Sequence, residues 1–283
     1  MRWQLVVLGL QLLTPAVSAQ GMRPFSTYRQ LHGETRLSAR LSYATGALRL
    51  APGRPGELYR MDASYDEGRY LPLSGYDAAR GEVELGVKPS GGGGLRTVST
   101  GQLRQTASIT FSPRVDLALA MTLGAADADL ELGGLRLTDL SLQTGASRTV
   151  LRFSQPNGTR CRTASLSAGA AELSVMGLGN SRCDRIEFEG GVGRVTLDFA
   201  GAGAPESHVS VKMALGAVTL RLPRHAGVRI TLDKLLASFD PAGLERRGNA
   251  FVSAGYERAE RRVDIEVTTA VGGVTVEWED EGD

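Results

Sequence analysis

The chain has 283 residues, enough for one large domain or two modest ones with a real core. Hydrophobic residues make up 42% and charged residues 22%, which sets it apart from disordered chains and ordinary membrane proteins. A net charge of +1 removes any strong electrostatic case for nucleic acid or anionic lipid as a partner.

The N-terminus reads as a secretory signal peptide over residues 1–19. Arg2 is a short positive region, Val6 to Leu13 an apolar run, and Val17-Ser18-Ala19 a small-residue site for a cut before Gln20. The alternative is a retained anchor helix, for which the apolar run is short. No later stretch reaches membrane-spanning length, so the expectation is an exported protein, periplasmic or extracellular.

Residues 20–103 form a small N-terminal β-region. Leu58–Asp62 and Glu82–Val87 read as strands, and Arg54-Pro55-Gly56, Asp66-Glu67-Gly68 and Leu73-Ser74-Gly75 as turns. Pro89 to Gly94 reads as a flexible joint. Tyr59, Tyr65, Tyr70 and Tyr76 crowd this region. Exposed, they offer a ligand surface for a glycan or peptide; packed across a hairpin, they are simply core.

Residues 104–283 carry a repeat. The pattern apolar-x-apolar-x-x-Gly, with apolar residues four and six after the Gly, recurs at Gly124, Gly145, Gly169, Gly191, Gly216 and Gly272. A weaker copy ends at Gly46. Alternation of period 2 makes each half a strand with one buried face, and Gly marks the bend between halves. Successive glycines from 124 to 216 lie about 21–25 residues apart, the length of one turn of a β-solenoid. The predicted fold is therefore all-β: a β-solenoid of stacked two-strand coils behind the N-terminal β-region. A β-sandwich is the alternative, but it does not require the same residue class at the same offset in every repeat. An insertion or irregular coil at about 228–262 interrupts the stack, and Leu232-x-x-Leu235-Leu236-x-x-Phe239 within it has helical spacing, ended by Asp240-Pro241.

Cys161 and Cys183 each precede a repeat glycine by eight residues and so occupy one offset in adjacent coils. Strand spacing of about 4.8 Å suits a disulfide, and export permits it; two buried free thiols are the alternative.

These segments resemble a known group. Gly145-Ala146-Ser147, Gly177-Leu178-Gly179-Asn180, Gly190-Gly191-Val192-Gly193 with Leu197-Asp198-Phe199, and Leu222-Pro223 are similar to the toast-rack family. This is the ectodomain type of LiaF-like proteins of the cell-wall-active antibiotic response. The resemblance implies a β-solenoid-like fold with no established enzymatic activity. Some relatives damp a two-component sensor from the membrane, and others are adhesin-type or envelope proteins.

Catalytic motifs are missing. His32, His208 and His225 are scattered, with no zinc spacing, phosphate loop or nucleophile elbow, so no catalytic, metal or cofactor residues are expected. Asp127, Asp129 and Glu131 alternate on one strand and read as a solvated face. Asn157-Gly158-Thr159 matches a glycosylation sequon but reads as a turn, and Arg246, Arg247, Arg258, Arg261 and Arg262 as a surface ion-pair cluster with nearby Glu. The functional expectation is a non-catalytic cell-envelope interaction or adhesin-like scaffold with a protein or glycan partner. A soluble regulator of an envelope-stress sensor and a polysaccharide-binding or -degrading solenoid are the alternatives.

Overall fold

The computed structural model describes residues 21–91 and 104–279. The segment 1–19 expected to be a signal peptide lies outside them, as do Gly92 to Gly94 of the expected joint and the approach to the expected boundary at 103/104. The first strands are β1 (Met22–Gln30), β2 (Arg36–Pro52), β3 (Glu57–Asp66), β4 (Tyr70–Asp77), β5 (Glu82–Pro89) and β6 (Thr106–Phe111). They are followed by β7 (Asp116–Glu131), β8 (Arg136–Thr144), β9 (Arg148–Arg152), β10 (Cys161–Met176), the short helix α1 (Leu178–Ser181) and β11 (Cys183–Asp198). The last are β12 (Glu206–Pro223), β13 (Gly227–Asp240), β14 (Leu244–Arg247), β15 (Ala250–Ser253) and β16 (Arg262–Glu279). All sixteen strands join one sheet.

The long strands are coils, each a first arm, a bend and a second arm. They stack in parallel register in the order β2, β7, β8 with β9, β10, β11, β12, β16, β13. Equivalent residues therefore form ladders, as a solenoid requires and a sandwich does not. Ile186, for example, lies between Ala164 and Val209, and Val209 beside Ile265. Inward positions of both arms feed one continuous core that includes Phe111, Phe153, Phe188 and Phe199. Each such side chain contributes about 1.5–3 kcal/mol by leaving water.

The N-terminal strands close one end of the stack. β5 pairs with the first arm of β2 and β6 with its second arm, and β4, β3 and β1 extend the sheet outward from there. Coil stacking thus begins at Arg36, since β2 pairs along its length with β7.

Two sequence expectations change. Leu232 to Phe239 is not helical but part of the bent strand β13. Leu232 sits in register with core residue Val267, and Phe239 with core residue Val274. Leu235 and Leu236 fall at the bend, where alternation changes phase, and that phase change produces the helix-like spacing. The expected interruption is also resolved: β13 is itself a coil, the outermost one. β16, last in sequence, lies between β12 and β13. The rest of the 228–262 segment is the β14–β15 hairpin, whose β15 pairs with β13 only at Arg229–Thr231, and a short helical turn at Tyr256–Arg258.

At the corner opposite the bend, buried polar side chains tie one coil to the next. Asn157 donates to the Leu137 and Thr159 carbonyls at 2.8 and 2.9 Å and accepts from the Leu137 N–H at 2.7 Å. Asn180 repeats the device one coil on, donating to the Phe153 carbonyl at 2.9 Å and accepting from the Ala202 N–H at 3.0 Å. Arg261 donates to the Gly201 and Phe199 carbonyls at 2.7 and 3.0 Å. Its burial pulls its pKa down, with Asp198 opposing that effect. Cys161 and Cys183, paired in register with Cα atoms 4.2 Å apart, are joined by a disulfide between β10 and β11.

Candidate interaction surface

The register shows how the bend is built. The repeat glycines do not form one ladder but two, offset by two residues. Gly124, Gly145, Gly169 and Gly191 lie in one column. Gly216 pairs instead with Gly193, and Gly272 with Gly216, in the other. In this second column φ is +147°, +142° and +134° at Gly193, Gly216 and Gly272, a conformation that L side chains avoid. A Cβ on Gly216 or Gly272 would also collide with the carbonyl of the preceding coil.

Between the two glycine columns runs a third, directed outward. Its members in stack order are Ala125, Ala146, Ala170, Val192, Leu215, Val271 and Leu236, continued from Thr45. The row is alanine in the earlier coils and valine or leucine in the last four, which stay in solvent: Val192 is 52% exposed, Leu215 49%, Val271 40% and Leu236 72%. Leu235, beside Leu236, is 77% exposed. Gly193, Gly216 and Gly272 on one side and alanine or Gly191 on the other keep the surface low beside Val192, Leu215 and Val271, so these residues line a shallow open groove. Scattered surface leucines need no explanation, but a contiguous aliphatic row does. Ion pairs border it: Glu172 lies between Arg148 and Arg194 at 3.4 and 3.6 Å on one side, and Lys212 meets Glu189 at 3.3 Å on the other.

Of the two readings open for the tyrosines, a ligand surface or hairpin packing, burial supports packing. Tyr59, Tyr65 and Tyr70 are buried in the core. Tyr76 is partly buried, its ring 6.0 Å from that of Tyr59, with the Arg29 guanidinium 4.1 Å above it and its hydroxyl donating to Glu34 at 3.3 Å. Burial pushes the Tyr43 hydroxyl up and does the same at Tyr59 and Tyr70. The hairpin core needed large side chains, and tyrosine supplied them.

Other singled-out residues are engaged structurally. Asp129 pairs with Arg152 and, at 3.7 Å, with Arg49. Glu131 accepts from the Gly133 N–H at 2.6 Å and caps a turn. Asn157 is buried with its amide fully used, so the sequon is not presented to solvent. The arginine cluster divides: Arg247 pairs with Glu245, Arg262 with Glu206, and Arg261 is the buried corner residue. A further open groove at the corner also has its charges paired, Arg160 with Asp184 at 3.0 Å and Glu206 with Arg262 at 3.3 Å. Among the described residues no group of His, Cys, Asp and Glu is placed to hold a metal ion. No helix among them is long and apolar enough to cross a membrane.

The aliphatic row was missed in sequence because it sits beside the glycines rather than at the alternating positions. Its signal is an apolar residue directly after Gly124, Gly145, Gly169 and Gly191 and directly before Gly216 and Gly272.

A parallel coil stack turning at a glycine-rich bend makes the chain a β-solenoid scaffold. The family model for the N-terminal domain of toast_rack (DUF2154) matches residues 20–176, and the chain belongs to this family. Among solved structures, a candidate cell adhesion protein from Clostridium sporogenes ATCC 15579 is similar at 16% identity and a TM-score of 0.48, over 91% of this chain and all of that one. A candidate adhesin from Bacteroides fragilis NCTC 9343 is similar at 10% identity and a TM-score of 0.42, over 90% of this chain and 97% of that one. No curated protein matches.

Proposed function

We propose that the chain is an exported, non-catalytic interaction protein of the cell envelope, adhesin-like in role, that binds through the aliphatic row at its bends. The observation that carries this reading is the contiguous exposed row Val192, Leu215, Val271 and Leu236 on a rigid, ladder-bonded scaffold. Adjacent members stand about 4.8 Å apart, close to the spacing of successive turns along one face of an amphipathic helix. The groove therefore suits the apolar face of another envelope protein, in the helix-in-groove mode. A glycan is disfavoured at this surface, because sugar platforms use exposed aromatic rings and this row is wholly aliphatic. Export is supported by the N-terminal leader pattern and by the Cys161–Cys183 disulfide, a bond of oxidising compartments.

The test compares the mature protein with Leu215→Arg in capture from cell-envelope extract, alongside a glycan array and a polysaccharide-turnover assay. A specific protein partner should bind the wild type and lose at least about tenfold in affinity to the variant, as for a central interface residue. Binding unaffected by Leu215→Arg sinks the assignment of the surface. Turnover of any polysaccharide sinks the non-catalytic reading.

A further inference from the structure

The outermost coil leaves an open edge. β15 pairs with β13 only as far as Thr231, so from Leu232 to Phe239 the outer backbone of β13 has no strand partner among the described residues. Natural sheets blunt such edges with charge or proline. This chain does so elsewhere: β4, which pairs only with β5, carries Pro72, and β14 carries Glu245, Arg246 and Arg247. The open part of β13 also carries charge, at Asp233 and Lys234, but sets beside it Leu235 and Leu236, the two most exposed large hydrophobics among the described residues.

Its sequence is also a palindrome in residue character. Leu232, Leu235, Leu236 and Phe239 are symmetric about the midpoint between Leu235 and Leu236. That midpoint is both the centre of the open stretch and the place where the strand bends, beside Ala237 in register with Gly272. From these observations we infer that two copies of this chain associate end to end, their β13 edges pairing antiparallel about a two-fold axis through that midpoint. Leu235 of each copy then faces Leu236 of the other, and Leu232 faces Phe239. Leu232 and Phe239 both lie in register with core residues, so the pairing joins the two cores. Because the axis passes through the bend, both arms of each coil stay aligned with those of its partner.

Charge permits this register. Asp233 faces Ser238 and Lys234 faces Ala237, so no like charges are opposed, and Asp240-Pro241 ends the open run where β15 of the other copy begins. The aliphatic row of one copy, ending at Leu236, runs on into that of the other. Eight paired residues a side bury on the order of 1,000 Å², the low end of specific interfaces, which fits a reversible dimer.

The proposal shares only Leu236 with the envelope-partner surface and is tested on the mature protein by sedimentation equilibrium. Concentration-dependent dimerisation is expected, with Leu236→Arg raising the dimer Kd at least about 100-fold while circular dichroism and melting temperature stay near wild type. Because a charge at the bend could also disturb the fold, a second test uses Leu235→Cys and Leu236→Cys. Mixed and oxidised, the two variants should form a disulfide heterodimer, and each alone should form far less. A monomer at all concentrations, a dimer indifferent to Leu236→Arg, or cross-linking within each variant alone would each overturn the proposal. A partner captured through Leu215 by a strictly monomeric protein would leave the functional reading standing and remove this one.

Discussion

Gly145 and Gly216 look equivalent in the repeat, yet replacing each by alanine should have very different consequences. Gly145 has an ordinary φ, and a Cβ there would stand 3.3 Å from the Gly124 carbonyl oxygen, a contact that a small shift of the bend relieves. Alanine also reduces the freedom of the unfolded chain, worth about 0.4–1 kcal/mol. Gly145→Ala should therefore be neutral to within about 1 kcal/mol. Gly216 has φ +142°, and its Cβ would be driven into the Gly193 carbonyl oxygen, which the parallel ladder fixes in place. Holding a residue with a side chain in that region costs about 1–3 kcal/mol, and displacing the ladder hydrogen bonds beside it adds about 1 kcal/mol. The expected loss of about 2–4 kcal/mol lowers the melting temperature by roughly 4–16 °C in a chain of this size. Urea unfolding of the two variants, with the m-value checked for two-state behaviour, measures the difference. Equal destabilisation by both substitutions, or none by Gly216→Ala, would falsify the two-column account of the bend.

Reducing the Cys161–Cys183 bond, or replacing both residues by serine, should cost about 3 kcal/mol for a closed loop of this length, seen as a lower melting temperature with reductant in the wild type and no reductant effect in the double variant. Glu279 gives a pH-dependent prediction. Burial and then the Asp198 carboxylate raise its pKa, outweighing the lowering by Arg221. A raised carboxyl favours folding while protonated, and that contribution is lost as pH rises through its folded pKa. Glu279→Gln should therefore be more stable than wild type at neutral pH, with the difference closing below the ordinary carboxylate range. A difference that grows on acidification would overturn this assignment.

Much of the architecture was legible in sequence because a solenoid repeats its constraints. Each coil must place apolar residues at fixed offsets from its bend, so the spacing of Gly124, Gly145, Gly169 and Gly191 and the shared offset of Cys161 and Cys183 could be read directly. What failed to show was phase. Gly193 lies two residues after Gly191, and a bend can use either column, so Gly216 and Gly272 could be aligned two residues out of register without disturbing the alternation. The same change of phase made β13 look helical. The tyrosines left two readings open for another reason: sequence reports an amphipathic ring, not which of its ends faces solvent. The candidate surface was hidden because alanine and valine beside glycine read as filler until the coils are stacked and the row becomes continuous.

The placement of β16 has a consequence for how the molecule is made. β12 and β13 are consecutive in the chain and emerge together, separated by one coil's length of sequence. Both later pair in register with β16, Val211 and Leu232 each lying opposite Val267. Nothing in that register prevents β13 from pairing with β12 directly while the C-terminal segment is still being delivered. Such a closed stack satisfies the backbone of both strands but leaves the last coil without a slot. Reaching the native order then means parting a formed ladder and threading a full-length strand into the gap. The final eighteen residues of sheet therefore act as the keystone of the C-terminal end, and their arrival is the natural slow step in folding.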